Sequence, residues 1–358
     1  MTYIIAEIGV NHNGDIKLAR ELIEGAVKVG ADAVKTQSFI THDLVTISAR
    51  KAPYQISKDL KSRTQFEMLE RLQLSFEQQI ELRNYAKSLG IDFLSTPFEM
   101  KSLDFLVDVL KLETIKVASS DIVSFPLLYR LGQSDCKIIL STGMATETEI
   151  EFALGLIVLA SSNVPLANVT LAKCANAWRG QDAMTKLHSR VKLLHCISEY
   201  PARVEVTNLK YMNRLRDRYG LSVGFSDHSM GVHLAVAAVS LGAEVIEKHL
   251  TIDRGLDGPD HAASLDLEDF SRMVREVRDV ELALGDGMRI RTFEEEQNLF
   301  AARKSLVALQ QIHIGETFTQ LNLGMKRPGT GISAMEFGEY LGKTSSRHYQ
   351  RDELIELR

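Results

Sequence analysis

Cysteine is scarce. Cys136, Cys174 and Cys196 are the only three in 358 residues. Their number is odd and their spacing is not that of a zinc motif. A disulfide framework and a structural zinc site are therefore excluded as organising elements, and a reduced, cytoplasmic compartment is expected. Long apolar runs are missing as well. The longest stretch, 152–160, falls far short of the roughly 20 residues of a spanning helix, so no membrane association is expected. The first ten residues lack a basic region and carry Glu7 inside an apolar run, so no targeting segment is expected. An excess of positive charge is also lacking. The net charge is −5, so nothing global attracts nucleic acid or an anionic membrane, and an anionic substrate must be held by locally placed cations. There is no dinucleotide fingerprint, no His-Glu-x-x-His, no internal repeat and no low-complexity tract. Residues 338–344 resemble a P-loop, but they are one spacer residue short and no strand leads into them.

What is present is an ordinary globular composition on a chain longer than one compact core usually holds. Short apolar runs at 3–9, 32–37, 92–95, 114–118, 137–140, 192–196, 222–225 and 244–248 read as strands. Several are rich in Val, Ile and Leu, as in strands buried on both faces. Stretches with apolar spacing near 3.6 separate them, at 16–29, 76–89, 146–159, 232–241 and 267–284. Gly30, Gly90 and Gly242 stand where such helices should stop. Eight strands alternating with helices suggest a closed (β/α)8 barrel over residues 1–285, with an open doubly wound sheet as the alternative. A charged, glycine-containing stretch at 286–298 reads as a linker. Residues 299–358, with strand-like runs at 305–308 and 317–323, read as a small β-rich domain.

Barrel enzymes place their working residues at the carboxyl ends of the strands. There the sequence is unusually polar. Glu7 interrupts the first strand, and a buried carboxylate is costly unless paired or functional. Lys35 and Lys116 interrupt the second and fourth strands at matching places, which suggests an anion pocket rather than two snorkelling side chains. Period two puts Gln37 beside Lys35, and Val245, Glu247 and His249 on one face. His228 comes from the end of the adjacent strand. Two histidines on neighbouring strand ends with a carboxylate nearby make an open metal site. Ser141, before a helix, and Asp260, in a turn-rich loop, are weaker signals with simple structural alternatives, an N-cap and a solvated turn. Arg327, in the turn Lys326-Arg327-Pro328-Gly329, offers a planar fork for a carboxylate or hydroxyl.

The motifs Ala6-Glu7-Ile8-Gly9-Val10-Asn11-His12-Asn13-Gly14-Asp15, Leu94-Ser95-Thr96-Pro97-Phe98, Leu140-Ser141-Thr142-Gly143-Met144, Phe225-Ser226-Asp227-His228, Ile246-Glu247-Lys248-His249, Gly258-Pro259-Asp260-His261 and Lys326-Arg327-Pro328-Gly329 run in order along nearly the whole chain. Together they resemble the bacterial sialic acid synthases, a group that makes N-acetylneuraminic, legionaminic and pseudaminic acids. The opening motif is closer to the first two.

The resemblance implies a TIM barrel joined to a C-terminal antifreeze-like (SAF) domain in a domain-swapped homodimer. It implies condensation of phosphoenolpyruvate with N-acetylmannosamine or a related acetamido sugar, such as a diacetamido-trideoxy hexose, with C–O cleavage and release of phosphate. His228 and His249 match metal ligands for Mn2+ or Mg2+. Lys35, Lys116, Ser119, Ser141 and Ser226 match the phosphoenolpyruvate pocket. Gln37, Asp121, Tyr200 and Asp260 match sugar contacts, and Arg327 matches an arginine that reaches the partner subunit's sugar. Glu7 and Glu247 match the catalytic carboxylates. The chain departs from the pattern in three places. Ser198 stands where several relatives carry asparagine or threonine, residues 54–64 contain no asparagine, and 168–190 reads as an insertion.

Two other readings compete. A phosphoenolpyruvate aldol synthase for sugar phosphates would need a second cationic cluster on the rim, and none is evident. A binding protein that uses the antifreeze-like module would not need the full set of lysines, histidines and glutamates.

Overall fold

All eight expected strands form, and every recorded pair among them is parallel: β1 Tyr3–Gly9, β2 Ala33–Ser38, β3 Asp92–Pro97, β4 Thr114–Val117, β5 Lys137–Ser141, β6 Val191–Cys196, β7 Ser222–Asp227 and β8 Val245–His249. This is a computed structural model, which describes residues 1–59 and 61–356. The strand order is β3-β2-β1-β8-β7-β6-β5-β4, and the two end strands lie side by side. The order follows the chain around the ring without the reversal of a doubly wound sheet, so the fold is the closed barrel.

Each strand is buried on both faces, but the two faces differ. One face packs against the surrounding helices in the large core that includes Ile4, Ala6, Ile8, Val34, Leu140 and Ile246. The other forms a separate cluster inside the ring, built from Ile5, Ala33, Leu94, Ile139, Leu194 and Val245. Two residues further along the same six strands stand Glu7, Lys35, Thr96, Ser141, Cys196 and Glu247. Because the side-chain period of a strand is two, these occupy the next layer of the same interior. The lining thus changes from apolar to polar within one step on five strands, with the Cys196 thiol on the sixth.

The helices begin where local chemistry predicts. Asp15 caps the helix Ile16–Lys28, and capping boxes formed by Ser75 with Gln78 and Thr146 with Glu149 open the helices Phe76–Ser88 and Glu147–Ser161. The insertion at 168–190 supplies two further helices, Leu171–Ala177 and Gln181–Arg190. The first lies so close to Glu147–Ser161 that a Cβ on Gly155 would stand 1.8 Å from the carbonyl oxygen of Cys174. The second ends in Arg190, whose guanidinium donates to the carbonyl of Leu131, in the last turn of the helix Phe125–Gln133, and to those of Ser134 and Cys136 just past its end. No helix among the described residues is long and apolar enough to cross a membrane.

The chain divides into two units, 1–285 and 286–358. The second holds β9 Ser305–Ala308 antiparallel to β10 Leu323–Lys326, over a core that includes Leu306, Ile312, Phe318, Ile332 and Tyr349. Two expectations are corrected here. The stretch 286–298 is helical from Phe293 onward, as part of Phe293–Ala302, because Thr292 and Glu295 form a capping box and three glutamates fill the first turn. The expected strand at 317–323 starts only at Leu323. Asn322 accepts from Thr319 N at 2.7 Å and donates to Thr317 O at 3.0 Å, which fastens the preceding residues into a turn. The last two residues of the expected small domain lie outside the described residues.

The contact at Gly155 gives a stability prediction. In an exposed helix Gly155→Ala would stabilise by up to about 1 kcal/mol. Here the helices must separate, so a net loss of about 1–3 kcal/mol is expected, read as a lower urea midpoint with an unchanged slope.

Candidate active site

The polar layer opens into a cavity of about 530 Å³ at the carboxyl ends of the strands. Glu7, Lys35, Gln37, Lys116, Ser119, Ser141, Ser198, Tyr200, Ser226, His228, Glu247, His249 and Asp260 all line it. Asp121 stands just outside this lining. It lies in the short turn Ser119–Asp121 and accepts from Ser120 Oγ at 2.8 Å, and Ser120 takes its place in the wall. Arg327 belongs to the second unit, where its Nε donates to Ala302 O at 3.0 Å.

At the floor, Lys35 forms an ion pair with Glu7, lies 3.8 Å from Glu247 and donates to Thr96 Oγ1 at 3.1 Å. Strand pairing sets this up, since Glu7 is in register with Lys35 on one side and with His249 on the other. Gly9 makes room for the carboxylate. Its φ is +39°, and a Cβ there would meet Glu7 Oε1 at 2.5 Å. Gln37 donates to Glu7 Oε1 at 3.3 Å, and Ser226 donates to Glu247 Oε1 at 3.0 Å. Lys116 donates to Ser141 Oγ at 2.6 Å and to Val117 O at 3.0 Å. Beside it, Gly143 N donates to Ser119 Oγ at 3.0 Å, and Ser119 Oγ lies 3.1 Å from Cys196 Sγ.

Two carboxylates facing one ammonium lose their protons in separate steps. Burial pushes Glu7 up to about 7, against the pull of Lys35. Burial would also raise Glu247, but Lys116 and Lys35 outweigh it and hold its carboxyl below the ordinary value. Glu247 is therefore the standing carboxylate, while Glu7 exchanges a proton near neutrality. Burial lowers Lys35 too, yet Glu247 and Glu7 together raise it. Lys116, with no carboxylate in direct contact among the recorded ion pairs of the described residues, is held below the ordinary lysine value by burial. Burial raises Asp260 to about 6.

The histidines stand beside this ionic group: His249 is in register with Glu7, and Ser226 Oγ lies 3.3 Å from His228 Nε2 as well as 3.0 Å from Glu247 Oε1. Their rings are 5.7 Å apart, and Tyr200 stacks on His228 at 4.2 Å. Burial takes His228 down to about 4 and holds His249 well below its ordinary value, so both are neutral. His228 Nδ1 lies 2.7 Å from Ile197 O, which must accept from it, so Nε2 keeps its lone pair. His249 Nδ1 is buried without a hydrogen-bond partner and lies 3.8 Å from Asp260 Oδ2. Neutral imidazoles, one oriented by a backbone carbonyl and one with an orphaned buried nitrogen, are donors that fit a divalent cation. No group of three or more His, Cys, Asp or Glu suited to an ion occurs among the described residues.

The structure adds residues that the motifs alone did not single out. Thr96 binds Lys35, and period two from Leu94 points to it. Tyr54 lies 5.0 Å from the Tyr200 ring, on the short helix Pro53–Lys58, whose sequence carries no comparable signal. Lys248, between Glu247 and His249, faces outward. It pairs with Asp227 at 2.8 Å and donates to Ser229 O, while Asp227 accepts from Ser229 N at 2.8 Å. This fully buried pair fixes the backbone on both sides of His228.

A family model described as the NeuB family matches residues 22–289, and one described as the SAF domain matches 303–357. The chain belongs to the NeuB family. The resemblance to sialic acid synthases is thus borne out. This NeuB-family chain is 43% identical over 354 residues to the N,N'-diacetyllegionaminic acid synthase of Campylobacter jejuni, covering 99% of this chain and 98% of that protein. It is 38% identical over 344 residues to the enzyme of the same name from Legionella pneumophila, covering 96% and 90%. Among solved structures it is similar to the N-acetylneuraminic acid (sialic acid) synthetase of Leptospira borgpetersenii, at 28% identity and a TM-score of 0.65, covering 83% of this chain and 90% of that one.

The raised Glu7 carboxyl has a sign that can be tested. Between its ordinary value of 4.5 and about 7 the folded state holds a proton that the unfolded state has released, so its contribution to stability falls as pH rises through this window and is constant above it. Glu7→Gln removes that loss. The Tm difference, variant minus wild type, is expected to grow between pH 5 and pH 7 and then level off. A difference independent of pH would contradict the assignment.

Proposed function

We propose that the chain condenses phosphoenolpyruvate with an N-acetylated amino sugar of mannose type to give a nonulosonic acid. One observation carries this reading. Two buried lysines, a standing carboxylate and a second carboxylate that titrates near neutrality share one cavity with two neutral histidines. Family membership and the names of both curated relatives support it.

In this reading Lys116, with Ser141 and Ser119, and Lys35 hold the phosphate and carboxylate of phosphoenolpyruvate. The methylene carbon of the enol forms a bond to the aldehyde carbon of the open-chain sugar. Water adds to the enol-phosphate carbon, its C–O bond to phosphate breaks, and inorganic phosphate leaves. Glu247, ionised and fixed by Ser226, takes the proton of the water. Glu7, whose carboxyl burial raises to about 7, donates in its protonated fraction to the oxygen formed from the aldehyde. Gln37, Tyr200 and Asp260 position the sugar. His228 and His249 are the residues that would hold Mn2+ or Mg2+, which when bound supplies Lewis-acid polarisation of the sugar carbonyl. A swapped homodimer in which Arg327 from the second subunit completes the sugar site belongs to the same proposal. A diacetamido-trideoxy hexose as acceptor is the second reading, favoured by the names of the two curated relatives.

Phosphate release from phosphoenolpyruvate in the presence of each sugar, with product mass, tests the reaction. Two variants test its parts. His249→Ala is expected to lower turnover by at least about a thousandfold and to weaken Mn2+ binding in calorimetry, and a fully active, metal-insensitive variant would refute the site. Arg327→Ala is expected to raise the KM for the sugar about tenfold or more while that for phosphoenolpyruvate changes little, as for loss of one charge-assisted contact. Equal effects on both would argue against a sugar contact.

A further inference from the structure

The second unit carries a pair of histidines that the proposed reaction does not use. Ile312 and Tyr349 form an antiparallel bridge and exchange both backbone hydrogen bonds, each at 2.9 Å. Both side chains enter the core of that unit. Because the side-chain period of a strand is two, the next residue on each segment points the other way, to solvent. Those residues are His313 and His348, and both are exposed. Beside a doubly bonded antiparallel pair lies the position where opposed side chains approach most closely. Here His313 Nδ1 stands 3.3 Å from His348 Nδ1, with the rings 5.4 Å apart and nearly perpendicular.

That spacing is the bite of a tetrahedral ion. Two nitrogens each about 2.05 Å from one zinc, at the tetrahedral angle, stand about 3.3 Å from each other. Only one of the two Nδ1 atoms can carry the hydrogen that lies between them. Its ring can take the other tautomer, with the hydrogen on Nε2, so both lone pairs become available without a change of charge. Glu316 adds negative charge beside the pair, since its Oε2 accepts from His313 N at 2.8 Å. The neighbouring cation, Arg347, is offset by Glu353 at 2.6 Å and Glu356 at 3.1 Å. We propose that His313 and His348 form a second, chelating metal site, specific for a nitrogen-seeking ion such as Zn2+, with water in the remaining positions. Mg2+ prefers oxygen donors and is not its ligand. The site would fasten the segment from His348 onward, which runs to Ile355 in the core, against the segment at Ile312.

The site stands independently of the synthase reading. The full-length protein is titrated with Zn2+ in excess Mg2+ by calorimetry, both as wild type and as His249→Ala, in which the barrel pair is broken. One Zn2+ per chain is expected to persist in His249→Ala. His313→Gln and His348→Gln, each added to that variant, are expected to weaken this binding at least about tenfold, as for loss of one of two ligands. Both positions are exposed, so melting without metal is expected to stay unchanged. Zn2+ is also expected to slow amide exchange over 348–355 in the wild type and not in His313→Gln or His348→Gln. No Zn2+ bound by His249→Ala, or binding unchanged by both substitutions, overturns the proposal. Weakening by only one of them shows a single imidazole rather than a chelate, and overturns it as well.

Discussion

The active end of this barrel depends on one buried ion group, Glu7, Lys35 and Glu247. Three adjacent strands bring these charges together where water cannot solvate them. Isolated, each would cost several kcal/mol or change its protonation state. Together they offset one another incompletely, since two carboxylates face one ammonium. Burial pushes Glu7 up and the charge of Glu247 adds to the rise, while Lys116 and Lys35 hold Glu247 down. A split of this kind turns two chemically identical groups into an acid and a base. Strand register dictates it, because a slip of one residue would turn Lys35 outward and separate the set.

Around that group, much of the motif chemistry is scaffolding. Asn11 donates to Leu250 O and to Ser264 Oγ, both at 2.9 Å, and Asn13 donates to Asp257 O at 2.8 Å. The polar run after β1 thus fastens the loop after β8, and Asp260 rides on that loop. The Asp227–Lys248 pair serves His228 in the same way from outside the ring. These residues touch no reacting atom on the proposed mechanism, yet they fix where His228 and Asp260 stand.

The barrel was legible because strands buried on both faces and helices with apolar spacing alternate cleanly, and because a polar residue inside an apolar strand is conspicuous. Lys35, Lys116 and Glu7 could be found that way, and period two correctly grouped Glu247 with His249 and set Lys248 apart. Other features left little trace. Tyr54 reaches the cavity from a short helix in an irregular segment, where no periodicity marks a side chain as inward. The helix from Phe293 resembles a linker in sequence because its surface is charged, and only the capping box of Thr292 with Glu295 marks its start. The strand expected from Thr317 begins late because the Asn322 side chain competes for the backbone. Asp121 fell one position outside the wall because a tight turn, unlike a strand, does not alternate its side chains.

The apolar layer beneath the ionic group explains why the site can be both charged and rigid. Ile5, Ala33, Leu94, Ile139, Leu194 and Val245 fill the ring immediately below it, so the ionic side chains cannot sink and must extend toward the mouth. Water is excluded from below and admitted only from the cavity. Lys116 shows the consequence. Its nearest partners are a hydroxyl and a carbonyl, neither of which carries charge, and burial leaves its ammonium undercompensated. An anion arriving through the mouth would supply that missing charge. The same packing that makes Lys116 costly in the empty site therefore gives it a stronger attraction for phosphate or carboxylate than a solvated lysine has, and the depth of the barrel is part of the binding chemistry.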